Sequence, residues 1–135
     1  MVSSDKERKN KTKRTLLTSF KDAFAGYRYT LLNERNFQIH TVVTCLVVTA
    51  GFILKITRIE WLVILLCIAL VLTAELLNTA IERVVDLIVG ETYHELAKIS
   101  KDVAAAAVIL TALMSVIIGL IVFLPYIWQV IIGFI

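Results

Sequence analysis

From Val103 to Leu124 the chain carries no charged residue, and the run is long enough to cross about 30 Å of hydrocarbon as one helix. Two more apolar runs precede it, Thr41 to Ile56 and Trp61 to Ala74. Apolar residues make up 59% of the 135, well above the ordinary soluble range, so a membrane protein is the first expectation. The predicted fold is all-α and integral to the membrane. An N-terminal amphipathic interfacial helix precedes three transmembrane helices over about residues 37–56, 59–82 and 103–124, in a single domain covering 15–135.

The remaining segments fit around these spans. Residues 1–14 hold six basic and two acidic residues and no aromatic, which reads as a mobile arm able to rest on anionic headgroups. Nucleic acid is not an expected partner in this membrane context. The first 40 residues contain no apolar core of signal-peptide length. Over residues 15–32, Leu16, Phe20, Phe24, Tyr27 and Leu31 recur at three- and four-residue steps, which marks an amphipathic helix lying in the interface. Lys55, Arg58 and Glu60 mark a tight turn between the first two spans, with Trp61 as an interfacial anchor. Cys45 and Cys67 lie in apolar runs and read as inert thiols. After Pro125 the apolar tail is too short to span and reads as interfacial or re-entrant.

Nine Lys/Arg precede residue 41, three lie between 83 and 101, and only Lys55 and Arg58 fall between the first two spans. The positive-inside rule therefore assigns the N-terminus to the cytoplasm of a multi-pass cell-membrane protein and the C-terminus to the outside. Glu34 and the acidic residues from Glu75 to Asp102 then gather at one cytoplasmic face.

The most informative polar feature begins where the second apolar run meets Glu75. At about 100° per residue, Glu75, Asn78, Glu82 and Asp86 share one stripe of a helix. Ionisable groups beside a membrane-spanning run are expensive and normally face a protein interior or a wet cavity. Carboxylates at this spacing could hold a hard cation such as Mg²⁺, which often uses one or two carboxylates plus substrate phosphates. Alternatively, the stripe is the solvated face of a helix leaving the membrane.

GxxxxGK[ST], HExxH, CxxC and GxSxG are all absent, which argues against a P-loop, zinc hydrolysis and a nucleophile elbow. Phosphoryl transfer needs positioning, a metal, cationic partners and a group that orients the attacking hydroxyl. Carboxylates, Arg83 and Lys101 could supply these, with Glu75 deepest in the apolar region and able to accept a proton from a lipid hydroxyl. Composition alone does not rank this reading above a small proton-coupled transporter that uses Glu75 as its relay.

ELLNTAIERVVDL at 75–87, YHELAKISKD at 93–102 and NERNFQ at 33–38 closely resemble the signature regions of the prokaryotic diacylglycerol kinase family. The likeness covers almost the whole chain. IEW before the second span and IIGLIVFLP near the end are most similar to the Gram-positive undecaprenol kinase branch. The resemblance implies a homotrimer with shared active sites that transfers the ATP γ-phosphoryl group to undecaprenol, or alternatively to diacylglycerol. It further implies that Glu75 is the catalytic carboxylate meeting the lipid, with Asn78 beside it. Glu34 and Glu82 would carry Mg²⁺ with the nucleotide phosphates, and Asp86, Glu91, His94, Lys101 and Asp102 would line the nucleotide site. GETYHEL differs from the GSEYHEL of the Gram-negative branch at the two positions after the glycine, which bears on Glu91. The bland readings are a hydrogen-bonded loop histidine for His94 and a charged cap of the third span for Lys101 and Asp102. His40 is read as structural.

Overall fold

A computed structural model describes residues 15–133 as four helices: α1 (Leu16–Asn33), α2 (Arg35–Leu54), α3 (Arg58–Val89) and α4 (Glu95–Gly133). The basic arm read at residues 1–14 lies outside the described residues. Helices α2, α3 and α4 are each long and apolar enough to cross a membrane. Thr15 caps α1, its hydroxyl accepting from the Thr18 amide. Leu16, Phe20 and Phe24 of α1 remain exposed, an apolar edge suited to the expected interfacial placement.

Packing follows alternating steps of three and four residues. On α3 the covered positions include Trp61, Ile64, Ile68, Val71, Glu75, Asn78 and Glu82, with Cys67 and Thr79 beside them, and the same rhythm runs through Val85 and Val89. On α4 it runs through Ala97, Lys101, Ala104, Val108, Thr111, Ser115, Ile118 and Val122. Such stripes let two long helices mesh along their length. Helices α3 and α4 form the most extensive pairing. Ala104 faces the interior, as expected of a small residue at a close helix approach, while Ala106 and Ala107 face outward. The stripe of α2, through Phe37, His40, Thr44, Val47 and Gly51, meets α3 more loosely. Ile56, Ile64 and Val122 form a small core near the α2–α3 turn.

The α2–α3 turn is tied at both ends. Lys55 closes α2 in the left-handed region, φ 53°, and Thr57 opens α3 with a capping box in which Glu60 accepts from the Thr57 amide at 2.7 Å. Trp61, expected as an interfacial anchor, lies half-buried against the turn, its ring 4.8 Å from that of Phe52. Tyr126 donates its hydroxyl to the same Glu60 oxygen at 2.7 Å.

That bond bears on the tail. The helix does not stop near Leu124 but continues through Pro125 to Gly133, so the tail is the end of α4 rather than a separate re-entrant piece. Proline removes one amide donor and usually kinks or ends a helix. Here Tyr126, the next residue, pins the continuing turn to the start of α3.

Gly51 is needed where α2 meets Trp61. A Cβ there would stand 2.8 and 2.9 Å from atoms of the indole ring. Gly51→Val should lower stability by about 1–3 kcal/mol through overpacking. Gly26→Val, with nothing within 4 Å of the added Cβ, should leave it nearly unchanged. Thermal unfolding of both variants in the same detergent checks the contrast, and equal melting temperatures would contradict it.

Candidate active site

The packing stripe of α3 does not end where its apolar residues do. Glu75 occupies the next covered position and is only 2% exposed, while Asn78 and Thr79 are also buried. Asn78 donates its amide to Glu82 Oε1 at 3.0 Å, one turn further on. Among the described residues, the Asn78 Oδ1 atom is buried without a partner. Glu82 is half-buried and Asp86 exposed, so the four stripe residues grade from interior to surface. The solvated-face reading is therefore wrong for Glu75 and Asn78. His40 of α2 approaches this end of the stripe, its Nε2 3.5 Å from Glu75 Oε1.

Glu34 is set by a one-residue corner. It is the last cap of α1 and the first of α2, in extended geometry, with its amide donating to the Thr30 carbonyl at 2.9 Å. Asn33 folds its side-chain amide back onto the Tyr29 carbonyl at 2.7 Å. Beneath the corner Phe37 is fully buried, its ring edge-on to Tyr27 at 5.3 Å. Arg83 of α3 donates to Glu34 Oε1 and lies 5.7 Å from the centre of the Tyr29 ring. One carboxylate oxygen of Glu34 is thus engaged by a guanidinium from α3.

The remaining candidates surround one cavity of about 570 Å³ between the end of α3 and the start of α4. Glu82, Asp86, Glu91, His94, Lys101 and Asp102 all line it. Gly90, at φ 58°, ends α3 in a conformation that side chains rarely adopt and directs the chain into the short loop that carries Glu91 and His94. Lys101 donates to Asp86 Oδ1 at 2.8 Å across the two helices, and Lys98 donates to Asp102 Oδ2 at 2.5 Å along α4. Lys101 and Asp102 are not a helix cap, since α4 already begins at Glu95. Glu34, Glu75 and Asn78 do not line this cavity.

A second cavity, about 400 Å³ and almost wholly apolar, lies between α2, α3 and α4. His40 is part of its wall, together with Ile39, Val43, Ile68 and Val71. Sequence reasoning missed two residues here. Lys98 adds a cation to the polar cavity, and its only sequence signal was its four-residue spacing to Asp102. His40 touches the most buried carboxylate, and only the three-and-four rhythm from Phe37 to Gly51 could have placed it on the inner face of α2.

Among the described residues, no three His, Cys, Asp or Glu side chains converge as a ready-made cation cage. The oxygen set nevertheless suits a hard cation that completes its shell with phosphate oxygens. Glu34 and Glu82 each have one oxygen engaged by a nitrogen donor, and the Asn78 Oδ1 is buried and unpartnered.

The profile of the family described as prokaryotic diacylglycerol kinase matches residues 21–123. The chain is 51% identical over 110 residues to a diacylglycerol kinase of Synechocystis, a match covering 82% of this chain and 63% of that protein, less than two thirds of its length. It is 46% identical over 120 residues to an undecaprenol kinase of Bacillus subtilis, covering 89% of this chain and 96% of that one. A diacylglycerol kinase of Escherichia coli is 36% identical over 95 residues, covering 70% and 77% respectively.

Phe37 holds the corner on which Glu34 depends. Phe37→Ala should cost about 3–5 kcal/mol, the usual loss for a buried aromatic. It should also disorder the Glu34–Arg83 pair. Phe37→Leu should recover most of both losses. Unfolding in detergent, combined with chemical-shift or crosslinking readout of the Glu34–Arg83 pair, tests this. A Phe37→Ala protein as stable as the parent would overturn it.

Proposed function

The chain belongs to the prokaryotic diacylglycerol kinase family, and from that premise we propose an integral-membrane lipid kinase that transfers the ATP γ-phosphoryl group to undecaprenol. The observation that carries the reading is a buried carboxylate, Glu75, on the same helix stripe as a polar cavity lined by both carboxylates and lysines. A purely solvated stripe would not bury its deepest member. A proton-coupled transporter would use Glu75 but has no need of the cavity at the α3–α4 junction.

In this reading Glu75 accepts the proton of the lipid hydroxyl as that oxygen attacks the γ-phosphorus. Asn78 orients Glu82 through its amide and leaves Oδ1 free for a donor or cation. Lys101, with Lys98 beside it, meets phosphate by exchanging its present carboxylate partner for the nucleotide. Asp86, Glu91, His94 and Asp102 line the rest of the nucleotide site. Mg²⁺ would be held by Glu34 and Glu82 together with the nucleotide, where it would neutralise charge developing on the phosphate oxygens. The same reading includes the homotrimer, with active sites shared between protomers, and a cytoplasmic N-terminus, supported by the Lys/Arg distribution.

The acceptor is assigned as undecaprenol because the likeness to the undecaprenol kinase spans nearly all of that relative. Diacylglycerol is the second reading, favoured by the higher identity to the Synechocystis protein. Each lipid presents a hydroxyl at the headgroup boundary, so Glu75 serves either one. Apolar contacts separate similar hydrocarbons by only about 1–3 kcal/mol. Purified protein in mixed micelles should label undecaprenol from ATP only when a divalent cation is present, with kcat/KM above that for diacylglycerol at equal surface concentration. No labelled lipid with either alcohol would refute the kinase, and a preference for diacylglycerol would reverse the substrate order.

The two central carboxylates should fail differently. Glu75→Gln should lower kcat by roughly 10²–10⁴-fold, the usual worth of a general base, while nucleotide and Mg²⁺ still bind. Glu82→Gln should mainly weaken Mg²⁺-dependent nucleotide binding, since the cation loses an anionic oxygen. Titration of a fluorescent ATP analogue beside turnover separates them. Near-normal activity in both variants would remove the stripe from the mechanism.

A further inference from the structure

We propose that His40 is a positioning residue for Glu75, holding one carboxylate oxygen so that the other faces the lipid hydroxyl. The proposal rests on the reading of Glu75 as the base and adds a residue to that site. Glu75 is almost completely buried, yet among the described residues its carboxylate accepts no hydrogen bond, and the one basic side chain against it is the imidazole of His40, with Nε2 3.5 Å from Oε1. A buried carboxylate without donors is costly, and its terminal torsion has no strongly preferred setting. An imidazole N–H directed at Oε1 answers both problems, because it supplies a donor and sets the plane of the carboxylate. Oε2 is then the free acceptor.

The placement of His40 strengthens the argument. It lies on the inner stripe of α2, between the buried Phe37 and the half-buried Thr44, so packing of α2 against α3 limits how far it can withdraw. Its side chain is 23% exposed against 3% for that of Glu75. It also forms part of the wall of the apolar cavity, whose other lining is almost entirely hydrocarbon. His40 therefore stands between the apolar cavity and the buried carboxylate. A contact of 3.5 Å is longer than a direct hydrogen bond, and catalytic contacts are often this long before substrate binds and tighten in the reacting complex.

Misplacing a reacting group by about 1 Å can cost on the order of 10²-fold in rate, which sets the scale for losing such a restraint. Full-length His40→Ala assayed with undecaprenol, ATP and Mg²⁺ should lose roughly 10- to 100-fold in kcat, with KM for ATP unchanged. His40→Gln, whose amide nitrogen can reach where Nε2 stood, should restore most of the rate. In a Glu75→Gln background, His40→Ala should cause no further loss, because the residue it positions has gone. A wild-type rate in His40→Ala, equal loss in the Ala and Gln variants, or full additivity with Glu75→Gln would each overturn the proposal. An inactive wild type would instead defeat the kinase reading. The contact itself has a separate readout, the infrared carboxylate band that disappears in Glu75→Gln. His40→Ala should shift that band, and an unshifted band would overturn the proposal whatever the activity.

Discussion

The burial of Glu75 is the constraint around which the rest of the molecule is arranged. A carboxylate next to a membrane-spanning run is tolerated only where protein or a wet cavity replaces lipid, because an unpaired charge in hydrocarbon is costly. Here it sits on the packing stripe of α3, continuing the series of Ile64, Ile68 and Val71. The same geometry that meshes α3 with its neighbours thus carries a polar group into the interior. His40 from α2 stands 3.5 Å from the Glu75 Oε1, and among the described residues the nearby Oδ1 of Asn78 is buried without a partner. Incomplete satisfaction of a buried polar group is what a site awaiting a donor or cation presents.

The scaffold keeps three short pieces in register with that carboxylate. The corner at Glu34 is a single extended residue, held from below by Phe37 and from the side by Arg83. The α3–α4 junction is a short loop after Gly90 that brings Glu82 and Asp86 opposite Lys101. At the far end, Glu60 joins the α3 cap to Tyr126 and fixes α4 past Pro125. These ties are mostly exposed ion pairs and hydrogen bonds, which contribute little when paired at a surface. Burial of the stripes, rather than any one ion pair, holds the helices together. The charged groups near the cavity can therefore exchange partners without loss of the fold.

That division suits a phosphotransferase. Lys101 and Lys98 are already paired with carboxylates, so a nucleotide bound as proposed would replace existing contacts rather than meet bare charge. Arg83 likewise pairs with Glu34. The apolar cavity by His40 and the polar cavity by Lys101 approach the α3 stripe from different sides, and both share residues with it. A lipid alcohol and a nucleotide have opposite solubilities, and a site at this boundary can receive both.

The sequence by itself determined the helices and the placement of the catalytic candidates along them. Three long apolar runs admit little but membrane helices, and a helix turning about 100° per residue puts Glu75, Asn78 and Glu82 on one side without reference to any partner. The family signature likewise lies in contiguous residues. Tertiary structure alone decided which partners meet. Nothing in the local pattern around His40 distinguishes a structural histidine from one touching Glu75, thirty-five residues away, because that contact depends on the rotation of α2 about its axis. Lys101 and Asp102 read as a cap until the start of α4 at Glu95 placed them two turns inside a helix, each facing a different carboxylate or lysine. Pro125 reads as a stop, since its missing amide is a local fact. The bond that carries α4 beyond it joins Tyr126 to Glu60 across the fold, and only the packed chain contains it.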